Sequence, residues 1–460
     1  MNSSGLTSPQ RLTILLMIVA IIVVFAMLAG FITASLPRLE QEEHLTPTRA
    51  PLTAPSPTHS PAPSPTSLTS QDNLGSQVQA ARLFDQIAHQ VEVQRAISTR
   101  AEAPLSFLSG REMASLLRRI YTERDPEAQL RPYIALGLLP STSIFIRARQ
   151  TAGIYVPEQK QLYIAAGQQI NNSDDQALLA HAHVHVLQDQ RFDLGAMDAR
   201  ATTTDSRLAI EALVEGDATL LTAFYRYEDP ATADWQHLTD LIVQAEQPHY
   251  AGNLNQDQTW ARLQRFPYWE GRKFAQALFQ SSGWESINQA YTTPPRSTEQ
   301  VLHPERYLDE QEAPARVVVH DLGQALGNGW RMILQDTLGE FVAGLYLNLA
   351  LPEETAWQAA DGWDGDTFVV WEHGEQESPM RIWRTFWEST AEASEFEHAL
   401  TAMIPQRYLP ARPLNPPAGQ SGHWWEISSG AMHVSRAGRY VTLAKAPDIN
   451  ILTNVVEALP

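Results

Sequence analysis

The 25 residues from Leu12 to Leu36 carry no charged side chain, and a run of that length spans a hydrocarbon core of roughly 30 Å with some tilt. A cleaved secretory signal would have an apolar region of about 7–15 residues. The run therefore reads as an uncleaved signal anchor, a single transmembrane helix in the cell membrane. Arg11 precedes it, whereas Arg38 on the far side is followed by Glu40, Glu42 and Glu43. Acidic residues contribute little to the positive-inside rule, so the expected orientation leaves the amino terminus inside and the large carboxy-terminal part extracytoplasmic. Leu45 to Gln71 is rich in Pro, Ser and Thr. Such a segment cannot bury a core and favours extended polyproline II, which at about 3 Å per residue reaches up to about 80 Å from the bilayer. The expected organisation is a tail at 1–11, the anchor at 12–36, a stalk at 37–71, a metal-site region at 72–250 and a second α+β region at 251–460 packed on it.

Beyond the stalk, the composition excludes several classes. A formal net charge of −19 with no Lys/Arg cluster repels nucleic acid. The absence of cysteine rules out disulfides, thiolate zinc fingers and a cysteine nucleophile. With 43% hydrophobic residues, the remaining chain can bury a core.

Apolar spacing predicts helices at Gln77 to Ile97 and Ser109 to Tyr121. Ala152 to Pro157 and Gln161 to Ala165 read as a hairpin. Ser173 and Gln176 have the spacing of a capping box, which launches a helix through about Gln190. Another helix covers Asp205 to Tyr227, and further ones follow Pro267 at Glu270 to Phe279 and at Gly329 to Leu349. Strands are expected at Thr367 to Trp371, Met380 to Phe386 and Tyr440 to Ala444. The fold class is α+β, helix-rich first and with more strand toward the carboxy terminus.

The chemistry concentrates in Ala180-His-Ala-His-Val-His-Val-Leu-Gln-Asp-Gln190. On a helix, His181 and His185 project from one face a turn apart, the spacing that lets two imidazoles share a zinc ion. His181, His183 and His185 would instead share one face of a strand. The cap and the unbroken continuation favour the helix, on which His183 turns away to pack or face solvent. In the usual H-E-x-x-H form of such a pair, the glutamate takes a proton from metal-bound water. Here position 182 is Ala, which accepts no proton. Glu211 and Glu215 share one face of the next helix, where a carboxylate can complete a two-His, one-Glu set or simply be solvated. His303 is a lesser candidate, as an oxyanion stabiliser or an ordinary hydrogen-bonded histidine, and so is Tyr268.

The segment HAHVHVLQDQRFDL at His181 to Leu194 resembles the H-E-x-x-H-A-L-Q-D-Q-x-F-D-L segment of uncharacterised bacterial zincin-like membrane proteins, a gluzincin-type metallopeptidase family. Ala152 to Tyr155 is similar to that family's A-G-F-Y strand, and Glu215-Gly-Asp-Ala218 to its E-G-D-A. Pro294 to Leu308 and Ala360 to Asp366 are similar to later blocks. The resemblance implies a zincin-like fold, a zinc ion held by His181, His185 and Glu215, Glu211 behind them, and a cleft edged by the strand at Ala152 to Val156 or its hairpin partner. In gluzincins a sheet edge there holds peptide substrate in extended form. Ala182 departs from the family at the catalytic base, whose assistance is commonly worth about 10²–10⁴ in rate. The expectation is a pseudopeptidase that binds metal, peptide or protein. The alternatives are an active or repurposed metallohydrolase and a structural domain that binds no metal.

Overall fold

The computed structural model describes residues 69–459, except 141–144, 148–150, 167–169, 171, 228, 248, 252–257, 311–312 and 377. The expected anchor at 12–36 and the stalk up to residue 68 lie outside the described residues. Among those described, no helix is long and apolar enough to cross a membrane.

The amino-terminal part runs α1 (Thr69–Arg95), β1 (Leu105–Leu108), α2 (Gly110–Glu123), α3 (Pro126–Leu136), β2 (Phe145–Arg147), β3 (Gly153–Val156), β4 (Gln161–Ala165), α4 (Ser173–Phe192), α5 (Leu194–Asp198), α6 (Thr204–Tyr227), α7 (Trp235–Glu246) and β5 (His249–Ala251). Next come α8 (Gln258–Ser282), α9 (Trp284–Thr292), α10 (Thr298–Leu302), α11 (Gly323–Leu326), β6 (Trp330–Asp336), α12 (Gly339–Asn348) and α13 (Glu353–Ala360). The chain closes with β7 (Trp363–His373), β8 (Met380–Trp387), α14 (Thr390–Arg407), β9 (Ala411–Leu414), β10 (His423–Ile427), β11 (Gly430–Ala437), β12 (Tyr440–Ala446) and α15 (Ile449–Ala458). The fold is α+β, as the sequence leads one to expect.

The expected hairpin is β3 paired antiparallel with β4, and β1 adds in parallel to the other side of β4, so β3 is an edge strand. The histidine segment is helical, within α4. Its cap is Asn172 instead of Ser173: the Asn172 side chain accepts from the Asp175 N–H at 2.8 Å. Every residue of α4 from Ala177 to Asp189 is buried, because α1, the hairpin, α6 and α7 cover it from all sides. A helix enclosed in this way shows no apolar stripe in its sequence.

Beside it, α6 crosses α8 at very short range. A Cβ on Gly216 would lie 2.1 Å from the Gly271 carbonyl oxygen, and one on Gly271 would lie 2.2 Å from that of Ala212. The expected helix start after Pro267 is too late, since α8 runs from Gln258 through that proline. A proline forfeits a hydrogen bond and strains the turn before it, but here the buried Trp260, Leu263, Phe266, Phe274 and Leu278 hold both halves against the core. The line drawn at residue 250 therefore runs beside a closely packed pair of helices, and Thr66–Pro460 forms one compact unit.

Toward the carboxy terminus the chain builds a seven-stranded antiparallel sheet in the order β6-β7-β8-β12-β11-β10-β9. Alternating residues serve its two faces. Trp383 and Leu443 join one core with Phe396 and Leu400 of α14, while Ile382 and Ala444 join another with Leu452 and Val455 of α15. The expected helix at Gly329 to Leu349 is half strand. Trp330 to Asp336 pairs with β7 as the sheet's edge, and the helix begins only at Gly339, whose φ is +85°.

Candidate metal centre

Three helices converge on the centre. His181 and His185 come from α4 and Glu215 from α6, while Glu246 ends α7. One ligand atom from each of the four lies within 4.8 Å of all the others, so the group can hold a metal ion. His181 Nε2 is 3.2 Å from His185 Nε2 and 3.3 Å from Glu215 Oε2, and His185 Nε2 is 3.4 Å from that oxygen. Glu246 Oε2 lies 3.4 Å from His181 Nε2 and 4.0 Å from His185 Nε2.

The surrounding hydrogen bonds fix which imidazole nitrogens are free. Thr222 donates its hydroxyl hydrogen to the Ala218 carbonyl at 2.7 Å, so its oxygen accepts from His181 Nδ1 at 3.2 Å. Gln188 spends its amide hydrogens on the Val214 carbonyl and Asp217 Oδ2, which leaves its oxygen to accept from His185 Nδ1 at 2.8 Å. Both Nδ1 atoms are therefore committed to these acceptors, and both Nε2 atoms face the carboxylates of the centre. Two imidazoles and two carboxylates facing one another can hold a metal ion or share protons.

The electrostatics express the same demand. Burial opposes charge on His181, but Glu246 and Glu215 outweigh it and raise its pKa to about 10. Burial would likewise raise Glu215, yet the two histidines outweigh it and hold its carboxyl at about 2.

Further polar residues set these donors in place. Asp217 is fully buried and binds Arg95 of α1 through both oxygens, at 3.1 and 3.2 Å; it also accepts from Tyr291 at 2.9 Å. The run Glu215-Gly-Asp thus supplies a donor to the centre, clearance for α8, and an anchor that reaches His185 through Gln188. The Tyr268 hydroxyl accepts from Gln247 at 2.9 Å and donates to Glu246 Oε2 at 3.3 Å, while Tyr121 donates to the Glu246 carbonyl. On the hairpin side, Tyr155 and Lys160 grip Asp189 at the far end of α4, at 2.6 and 2.7 Å.

The other residues singled out in the sequence lie apart from this cluster. Glu211 is exposed on α6 and contributes no atom to it. His183 is buried on the opposite side of α4, 3.4 Å from Glu92 and edge-on to Phe84. His303 meets Glu340 and Asp361 instead. Ala182 is fully buried and belongs to an apolar cluster with Ala180 and Val186.

Glu246 and Thr222 are absent from the sequence reading, and Asp217 enters it only as part of the Glu215-Gly-Asp-Ala218 block. Gln188 stands three residues beyond His185 and so shares its face. Glu246 has no comparable signal: it is the last residue of an ordinary amphipathic helix whose Leu238, Ile242 and Ala245 face the core.

Residues 330–456, from the start of β6 into α15, match a family described as Domain of unknown function (DUF8575). The helices that carry the centre lie outside that match. No curated protein and no solved structure matches the chain.

Proposed function

We propose that the chain is a membrane-anchored, extracytoplasmic pseudopeptidase of zincin-like type, which holds zinc through His181, His185, Glu215 and Glu246 and turns over little or no peptide. The observation that carries the reading is the pair of Nε2 atoms facing each other at 3.2 Å with both Nδ1 atoms committed elsewhere. Zinc bonds of 2.0–2.1 Å in a tetrahedron separate the ligand atoms by about 3.3–3.4 Å. The separations of 3.2, 3.3, 3.4 and 3.4 Å fit that value, and the 4.0 Å between His185 and Glu246 is longer. Four protein donors leave no open position, which is the pattern of a structural zinc site, whereas a catalytic site keeps one for water.

Absence of a base supports the same conclusion, since Ala182 lacks the carboxylate at the usual position. Among the described residues β3 pairs with β4 alone, and its other edge suits an extended peptide segment as partner. A second reading, an active metallohydrolase, is favoured by the Tyr268 hydrogen bond to Glu246. In it, Glu246 would take up a proton in place of the missing carboxylate, and Glu246→Gln would abolish cleavage.

Metal analysis of the full chain tests the assignment. Zinc bound at this centre is expected in the wild type and lost in His185→Ala. The same occupancy in both proteins would remove the centre from the account.

A further inference from the structure

Two sequence blocks not used by the zinc centre, Pro294 to Leu308 and Ala360 to Asp366, meet at a second cluster of donors. His303 follows α10, Glu340 lies in the first turn of α12, and Asp361 follows α13. His303 Nε2 is 2.9 Å from Glu340 Oε1 and 3.6 Å from Asp361 Oδ1, and one ligand atom of each residue lies within 4.8 Å of the other two.

Glu340 is 3% exposed, and its second oxygen, Oε2, is buried with no hydrogen-bond partner. An unsatisfied buried oxygen on a carboxylate is costly. The neighbourhood deepens the imbalance of charge. Glu305 lies 3.9 Å from His303 Nδ1, and the nearby Arg306 is shared by Glu299 and Glu388. Five carboxyl groups thus surround one imidazole and one guanidinium.

We propose that His303, Glu340 and Asp361 form a second site for a divalent cation, distinct from the centre on α4. One imidazole with two carboxylates is a donor set of intermediate hardness, suited to first-row ions such as Mn²⁺ and Zn²⁺. The separations of 2.9 and 3.6 Å bracket the edge of about 3 Å expected for an octahedron with bonds near 2.1 Å. Asp361 is 61% exposed, so water reaches the open side and completes the coordination.

Zinc counting on the full chain tests the proposal, with zinc alone as the probe after chelation and dialysis. The wild type is expected to hold two ions per chain, and His303→Ala and Asp361→Asn one each. His185→Ala also keeps one, which disappears when His303→Ala is added. Asp361→Asn alters an exposed side chain and so guards against a loss caused by misfolding. A single ion in the wild type that persists in His303→Ala would overturn the second site, as would two ions retained in both His303→Ala and Asp361→Asn.

Discussion

Single residues decide what the centre can hold, and the most informative of them touch no ion. Thr222 is fully buried, and its hydroxyl keeps His181 in the tautomer whose Nε2 lone pair faces the other donors. Losing such a supporting hydrogen bond typically weakens metal affinity about 10–100-fold. Thr222→Val is therefore expected to weaken zinc binding by that factor while the protein stays folded, as a chelator-competition titration would read. Unchanged affinity would mean that the tautomer is fixed some other way. At this scale the sequence was partly legible. The four-residue spacing of His181 and His185 survives in the structure because α4 is a helix. The choice between Glu211 and Glu215 depended on resemblance, since both lie on one face of α6 and only the approach of α4 and α7 selects Glu215.

Between elements, the closest approach belongs to α6 and α8. Their backbones cross where Gly216 and Gly271 leave no room for a Cβ. Gly216→Ala removes that clearance one residue from Glu215. Overpacking of this kind typically costs about 1–3 kcal/mol, which denaturant melts of variant and wild type would measure. A second element-scale consequence involves β11. His433 is buried there, lies tilted against Trp424 with ring centroids 4.4 Å apart, and donates from Nε2 to the Ser421 carbonyl at 3.0 Å. Burial, foremost, depresses its pKa to about 4. A depressed folded-state value means that the unfolded chain binds more protons between the unfolded value of about 6.5 and pH 4. The stability contributed by neutral His433 is accordingly full above pH 6.5 and lost as pH falls through 4. The loss is about 3 kcal/mol at most. His433→Gln should flatten that part of the pH–stability profile; an unchanged slope would show that the ring is not held neutral. The misread stretch at Gly329 to Leu349 has its cause at this scale too. Trp330 to Asp336 is a strand because β7 offers a ladder to pair with, a tertiary condition that local spacing does not encode.

At the scale of the whole molecule, the helical body and the seven-stranded sheet share one extended core that runs from α3 through α8 and α12 to β8. The α+β class and the drift from helix toward strand could be read from periodicity alone. The fourth donor, Glu246, could not, because it enters through the packing of α7 and the hydrogen bond from Tyr268. That donor changes the meaning of Ala182. With three donors, the substitution alone argues against turnover; with four, a tetrahedral ion in the proposed site would also lack a vacant position. The most direct measurement is hydrolysis of a mixed peptide library by the zinc-loaded full chain, with and without a chelator. The account predicts no cleavage above the zinc-only background and no effect of the chelator. Cleavage that requires the full chain and stops when zinc is stripped would contradict it.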